Sequence, residues 1–260
     1  MRAIMVFLLI VSAIGSFAFA QHAGNAELAP SGQLRVAMIS ANPVLVSRNP
    51  DGALKGISVE LGAFIAGKLG GKLVPVLYAD PEAYTRSFGK NEWDIAIGPR
   101  RASEAEKVNF SPDFMLVDNV YVAAPGKSFR DASEVDRPGI RIGVVQDGAP
   151  DKFLTGKLKS ATLVRVPGQI DAAIELLRSG GADVYGSNGE FTYSVAEKLP
   201  GAIIVPGAFT TVHMAVSLPK DRSDAAQSRL RELVREAIAA GLPRKVIEDE
   251  KLKGVRPTTN

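Results

Sequence analysis

Residues 34–40 read LRVAMIS and residues 140–146 read IRIGVVQ, and the two runs are succeeded by the same order of elements. Each is an apolar, strand-like run that leads into a helix-like stretch and a second apolar run. In the first copy, residues 81–88, a short polar turn and Asp94 precede IAIG at 95–98; in the second, residues 170–178, Ser179-Gly180-Gly181 and Asp183 precede VYGS at 184–187. One strand-helix-strand-helix-strand unit is thus written twice, which predicts an α/β protein of two similar lobes. Open parallel sheets take ligands beyond the carboxyl ends of their strands, where helix N-termini also point. Two such lobes predict a cleft for a small molecule.

Working outward, LRVAMIS is followed by a polar loop with Asn42-Pro43 and Asn49-Pro50-Asp51-Gly52, then by ISVELGAFIAGKLGG. There Val59, Leu61, Phe64, Ile65 and Leu69 recur near helical spacing, and Gly70-Gly71 supplies the stop. Residues 72–78 read as the second strand, and Asp80-Pro81 as an N-cap followed by proline at the first helical position. The third strand, 94–98, runs into Pro99-Arg100-Arg101, which places those residues at a sheet's carboxyl edge.

Two longer β-rich runs, MLVDNVYVAA at 115–124 and TTVHMAVSL at 210–218, flank the second copy. They are read as paired connectors between lobes, because one leaves before the inserted copy and the other returns after it. An amphipathic helix over 224–240, with Leu230, Leu233, Val234 and Ile238 on one stripe, is expected to pack back on the first lobe. The expected organisation is a leader at 1–20, a first lobe of 33–120 plus 213–260, an inserted second lobe of 125–208, and hinge connectors near 117–125 and 208–217.

The first twenty residues carry Arg2, an apolar run over 3–14 interrupted only by Ser12, then Gly15-Ser16 and the small-x-small ending Ala18-Phe19-Ala20. That order reads as a secretory signal peptide cleaved before Gln21, and predicts a periplasmic protein. No later segment is long and apolar enough to span a membrane. With no Cys among 260 residues, thiol catalysis, thiolate metal sites and disulfides are excluded. The net charge is +3 with the charges interspersed, so nothing points to nucleic acid.

The chain resembles the family 3 periplasmic solute-binding proteins, the polar amino acid receptors of ABC importers, over residues 34–248. The residues that carry the likeness are Gly56-Ile57-Ser58-Val59-Glu60-Leu61, Trp93-Asp94-Ile95-Ala96-Ile97-Gly98, Val108-Asn109-Phe110-Ser111-Pro112 and Ile142-Gly143-Val144-Val145-Gln146-Asp147-Gly148, with the helix-turn-Asp183 segment. The resemblance implies the periplasmic-binding-protein-like fold of type II, two α/β lobes joined by two hinge strands with the ligand cleft between them. It also implies a small-molecule solute and an inner-membrane ABC permease as partners, a monomer, and no cofactor or metal.

The pattern is broken where relatives hold their ligand. An arginine expected after a threonine is missing from Ser103-Glu104-Ala105-Glu106-Lys107; Arg100 and Arg101 lie a few residues earlier and offer planar donors to a carboxylate or other oxyanion. In the second lobe, Gly148-Ala149-Pro150 lacks the usual hydroxyl and leaves the backbone N–H groups of Gly148 and Ala149 at a helix start. The acidic residue that grips an amino group in relatives is replaced by Asn188, which offers no counter-charge. Asn42, with Pro43 and Val44, stands where many relatives place an aromatic ring. The expected ligand-binding set is Asn42, Gly98, Pro99, Arg100, Arg101, Gln146, Gly148, Ala149 and Asn188, and the expected ligand is small, polar and carboxylate-bearing.

Catalytic residues are not expected. His22 lies beside the cleavage site, and His213 sits within a connector, where it reads as a structural hydrogen-bonder. No Walker loop, zincin helix or nucleophile elbow is present. Relatives on this fold include periplasmic cyclohexadienyl dehydratases, so an enzyme is one alternative, with Glu60, Asp113 and Glu190 as the carboxylates nearest the predicted cleft elements and Glu190 the one to consider in that role; an accessory or sensory binding protein is another.

Overall fold

A computed structural model describes residues 24–40 and 42–259. The leader and its cleavage site lie outside the described residues. The chain divides into two compact units: unit 1 runs up to Met115 and includes His213–Glu250 and the residues from Pro257, and unit 2 is Leu116–Val212 with Lys251–Arg256.

Unit 1 begins with β1 (Gln33–Ile39), a small ribbon of β2 (Ser47–Arg48) and β3 (Leu54–Lys55), and helix α1 (Ile57–Lys68). β4 (Lys72–Tyr78), α2 (Pro81–Arg86) and β5 (Ile95–Pro99) complete the first copy. Strands β4 and β5 both lie parallel to β1, one on each side. The long strands β6 (Val108–Ala123) and, later, β11 (Thr210–Pro219) carry the chain out of unit 1 and back. On its return β11 pairs antiparallel with β5, Met214 opposite Pro99 through Ser217 opposite Ala96. The core is apolar on both sheet faces, as parallel strands require: Leu34, Val36, Met38, Ile95 and Ile97 are buried on one face with Ile57, Leu61 and Ile65 of α1, and Ala37, Ile39 and Ala96 are buried on the other.

Unit 2 repeats the plan. It contains β7 (Arg141–Val145), α3 (Ala149–Thr155), β8 (Thr162–Val166), α4 (Ile170–Arg178), β9 (Val184–Asn188), α5 (Gly189–Lys198) and the short β10 (Ile203–Ile204). β8 and β9 flank β7 in parallel, and β9 pairs antiparallel with β6 from Asn119 opposite Asn188 to Ala123 opposite Val184. Each unit is therefore a second-first-third run of parallel strands closed by one antiparallel long strand. In unit 2 one core cluster gathers Tyr121, Ile142, Val144, Leu154 and Val184, and another gathers Val122, Ile174, Leu177, Tyr185 and Val195.

The duplication extends to single bonds. In unit 1 the backbone N–H of Arg35 donates to Asp94 Oδ2 (2.8 Å) and its guanidinium NH2 donates to Oδ1 (2.8 Å). In unit 2 Arg141 treats Asp183 in the same way, at 2.9 Å and 3.3 Å. Both aspartates are buried, and each return bond runs from the aspartate N–H to the arginine carbonyl at 2.9 Å. Each aspartate fastens the start of a third strand to a first strand at the sheet's amino edge, away from the predicted ligand edge.

After α6 (Asp224–Ala239) and α7 (Leu242–Asp249), residues 251–256 cluster with unit 2, where the sequence reading keeps all of 213–260 in the first lobe. The cause is local bonding that no periodicity reports. Asp118 N–H donates to the Gly254 carbonyl (2.8 Å), and Arg256 Nε and NH2 donate to the Asp118 carboxylate at 3.0 and 3.3 Å. Gly254 has φ +68, and a Cβ there would lie 2.3 Å from Gly189 Cα, so the backbones meet where no other residue fits. The short β12 (Val255–Pro257) forms here, pairing with β6. Among the described residues, no helix is long and apolar enough to cross a membrane.

Candidate functional site

In unit 1, Asn42 lies beyond the end of β1, and Gly98, Pro99, Arg100 and Arg101 end or follow β5 on the same carboxyl edge. Asn42 is partly committed: its Oδ1 accepts the Val44 N–H at 3.0 Å, and its carbonyl accepts from Leu45 and Val46 at 2.9 Å each. That turn helps shape a hollow of about 370 Å³ lined by Ser40, Pro43, Val46, Ser47, Arg48 and Leu54. Gly98 is buried, and a Cβ on it would lie 2.6 Å from the Tyr84 hydroxyl. Its glycine is accounted for by packing against Tyr84 rather than by the approach of a ligand.

The two arginines differ in what they hold. Arg100 donates through Nε and NH2 to Asp113 Oδ1 (2.7 Å each) and through NH2 to the Ser111 carbonyl, and its guanidinium lies 5.1 Å from the centre of the Phe110 ring. Arg101 is anchored by NH1 alone, which donates to Thr85 Oγ1 (2.9 Å) and Glu104 Oε1 (3.0 Å). Arg100 is thus engaged along its fork, whereas the Nε and NH2 side of Arg101 makes no bond among the described residues. A guanidinium fixed at one nitrogen and open along the opposite edge has the geometry for two parallel bonds to a carboxylate.

In unit 2, Gln146, Gly148 and Ala149 follow β7 and Asn188 ends β9, so they share that sheet's carboxyl edge. Gln146 is exposed, and its backbone N–H donates to the Val166 carbonyl at 3.0 Å. The expected pair of free amides is reduced, because Gly148 N–H donates to the Val145 carbonyl (3.1 Å). The anion at this helix start is the chain's own: buried Asp151 accepts the Asp147 N–H (3.0 Å), the Thr155 hydroxyl (3.0 Å) and Arg165 Nε (3.0 Å). Burial raises the Asp151 pKa, but these donors outweigh it and hold the carboxyl below the usual range. Asn188 is the N-cap of α5, its Oδ1 accepting the Phe191 N–H at 3.0 Å, and its amide nitrogen makes no bond among the described residues.

Sequence reading counted Asp113 among the carboxylates near the cleft without tying it to Arg100, and it missed Thr85 and Glu104 behind Arg101. The three come from different elements, and the fold brings them to the two arginines. It also treated His213 in isolation, although His213 Nδ1 lies 2.7 Å from Asp113 Oδ2 and its carbonyl accepts the Arg100 N–H at 2.7 Å. The histidine side chain is 52% exposed, so its other ring nitrogen is not walled off. Glu190, by contrast, accepts the Lys253 N–H (3.1 Å) and is part of the C-terminal fastening. Among the described residues, no group of three His, Asp or Glu is arranged to hold a metal ion.

No family model matches the chain. A cyclohexadienyl dehydratase of Pseudomonas aeruginosa is 25% identical over 155 residues, which make up 58% of this chain and 58% of that protein, so the match spans little more than half of each. Among solved structures, an ancestral cationic amino acid solute-binding protein superposes with a TM-score of 0.68 at 16% identity, covering 86% of this chain and 98% of its own. A solute receptor for L-cysteine of Neisseria gonorrhoeae gives 0.65 at 16% identity, covering 90% and 99%. At such identities the likeness is one of fold, and the fold is the α/β arrangement of the periplasmic binding proteins.

Proposed function

We propose that the chain uses this fold as an exported solute receptor, which captures a small polar, carboxylate-bearing metabolite in the periplasm and presents it to an inner-membrane ABC permease. The observation that carries this reading is the fold itself, which matches solute-binding structures over most of the chain. The proposed mechanism is closure about the two long strands β6 and β11: a solute engaged by both units binds the closed form best and shifts the population toward it. Arg101 would pair with the carboxylate in unit 1. Ala149 N–H, the Asn188 amide and Gln146 would read polar groups in unit 2, while Arg100, tied to Asp113, would buttress rather than bind. With Asn188 in place of an acid, the site lacks the usual counter-charge for an ammonium group.

A thermal-shift screen of residues 21–260 against amino acids, hydroxy acids, dicarboxylates and aromatic acids tests this. A receptor gives a concentration-dependent rise in Tm with one acid class and releases the acid unchanged. A second reading, a dehydratase acting on cyclohexadienyl acids, is favoured by the Pseudomonas relative and by the His213–Asp113 pair, which has the base-and-orienter arrangement of a proton-transfer site. Product formation by the wild-type protein that His213→Gln abolishes would establish it in place of the receptor.

A further inference from the structure

Glu104 ends a single 3-10 turn (Ala102–Glu104) directly after Arg101, and its side chain is only 3% exposed. One carboxylate oxygen, Oε1, takes Arg101 NH1 at 3.0 Å and lies 3.2 Å from the Thr85 hydroxyl. That hydroxyl is also 2.9 Å from the Pro81 carbonyl, and a single proton serves only one of the two acceptors. The other oxygen, Oε2, is buried with no hydrogen-bond partner among the described residues. A carboxylate buried on one cation and one shared hydroxyl is poorly compensated, and as a purely structural device it would be a weak one. Its effect on Arg101 is specific: it fixes the guanidinium at NH1 and sets a full negative charge on the side away from the open Nε and NH2 edge.

We infer that Glu104 sets the charge class of the ligand, so that the Arg101 edge accepts a monoanionic carboxylate and discriminates against dianions. This rests on the receptor reading above. The Arg101–Glu104 pair has no net charge. A carboxylate docked on the open edge therefore gains the two directed hydrogen bonds while most of the long-range attraction of the guanidinium is cancelled. A second anionic charge on the solute meets the Glu104 field without gaining a further donor. With Arg101 partly in solvent, one such charge is worth roughly a tenfold change in affinity.

The test uses lactate against malate and propionate against succinate at pH 7.5, with affinities measured by calorimetry on residues 21–260. Wild type is expected to favour the singly charged acid of at least one pair. Glu104→Gln keeps an acceptor for Arg101 but removes the charge, and is expected to move the ratio about tenfold toward the dicarboxylate. Glu104→Asp keeps the charge but withdraws it by one methylene, so affinity for both acids should fall with the ratio preserved. This second variant guards against a glutamine variant that does not fold, since a moved ratio there overturns the inference. Glu106→Gln, an exposed carboxylate two residues on, should leave the ratio as it is. Binding by wild type with an unmoved ratio in Glu104→Gln overturns the role of Glu104. If none of the four acids binds wild type, the receptor reading of this edge fails, and the inference with it.

Discussion

Arg101 is the residue at which binding and stability meet. A free surface arginine could be removed with little effect on the fold, and position alone, three residues past buried Gly98, suggests nothing else. Its bond to buried Glu104 changes that expectation. Arg101→Ala should weaken binding of a carboxylate solute more than tenfold, through loss of a charge-assisted fork. It should also destabilise the ligand-free protein by about 1 to 3 kcal/mol, because Glu104 is left buried without its cation. Calorimetric titration and a thermal melt of the same variant read the two effects separately. An unchanged melt would mean that Glu104 does not depend on Arg101; unchanged affinity would remove Arg101 from the site. Arg100 looked equivalent in sequence, and only the register of β6, which brings Asp113 and Ser111 beneath it, tells the two apart.

At the scale of elements, much was legible. The strand at 72–78 and the helix at 170–178 appear with the expected bounds, and the Asp80 cap accepts the Ala83 N–H at 2.7 Å. Hydrophobic period and turn residues report local conformation, and these elements are locally determined. What period does not report is which side chains consume a donor. Asp151 at the third position of α3 takes the Asp147 amide, the Gly148 amide goes to the Val145 carbonyl, and Asn188 spends its oxygen on a cap. The Arg141–Asp183 link between β7 and β9 belongs to this scale too. Burial raises the Asp183 pKa, but bonds from Arg141, Lys127 and the Arg141 N–H outweigh it and leave it at about 2, against 3.8 for an ordinary aspartate. The folded value lies below the unfolded one, so the stabilisation is complete above about pH 4 and is lost as pH falls through 2. It amounts to at most about 2 kcal/mol, because the carboxylate is 4% exposed while its partners reach solvent. Asp183→Asn should therefore destabilise the protein by about that much at pH 7. The gap between denaturant melts of wild type and variant should begin to narrow below about pH 4 and close as pH falls through about 2; a gap independent of pH would assign the loss to packing instead.

For the whole molecule, the chain passes between the units at 115/116 and 212/213 on β6 and β11, and again on either side of residues 251–256. The last passage is fastened by Arg256 on Asp118, the Gly254 carbonyl and Lys253 N–H on Glu190. Ending the chain after Glu250 should lower Tm by a few degrees, since the loss includes the backbone bonds at Gly254 and Thr258, the Thr258 hydroxyl bond to the Asp113 carbonyl, the partly exposed Arg256 and Lys253 pairs and a close backbone contact. No change in the melt would show that the segment adds nothing to unit 2. The same division fixes an order of assembly. Almost all of unit 2 lies in one uninterrupted stretch, 116–212, while unit 1 lacks β11, α6 and α7 until residue 249 has emerged. As the polypeptide is synthesised from its N-terminus, the second copy is all but complete while the first still waits with the flank of β5 uncovered. The half of the molecule made first is the half finished last, and a chaperone guarding the nascent protein would find its exposed strand edge there.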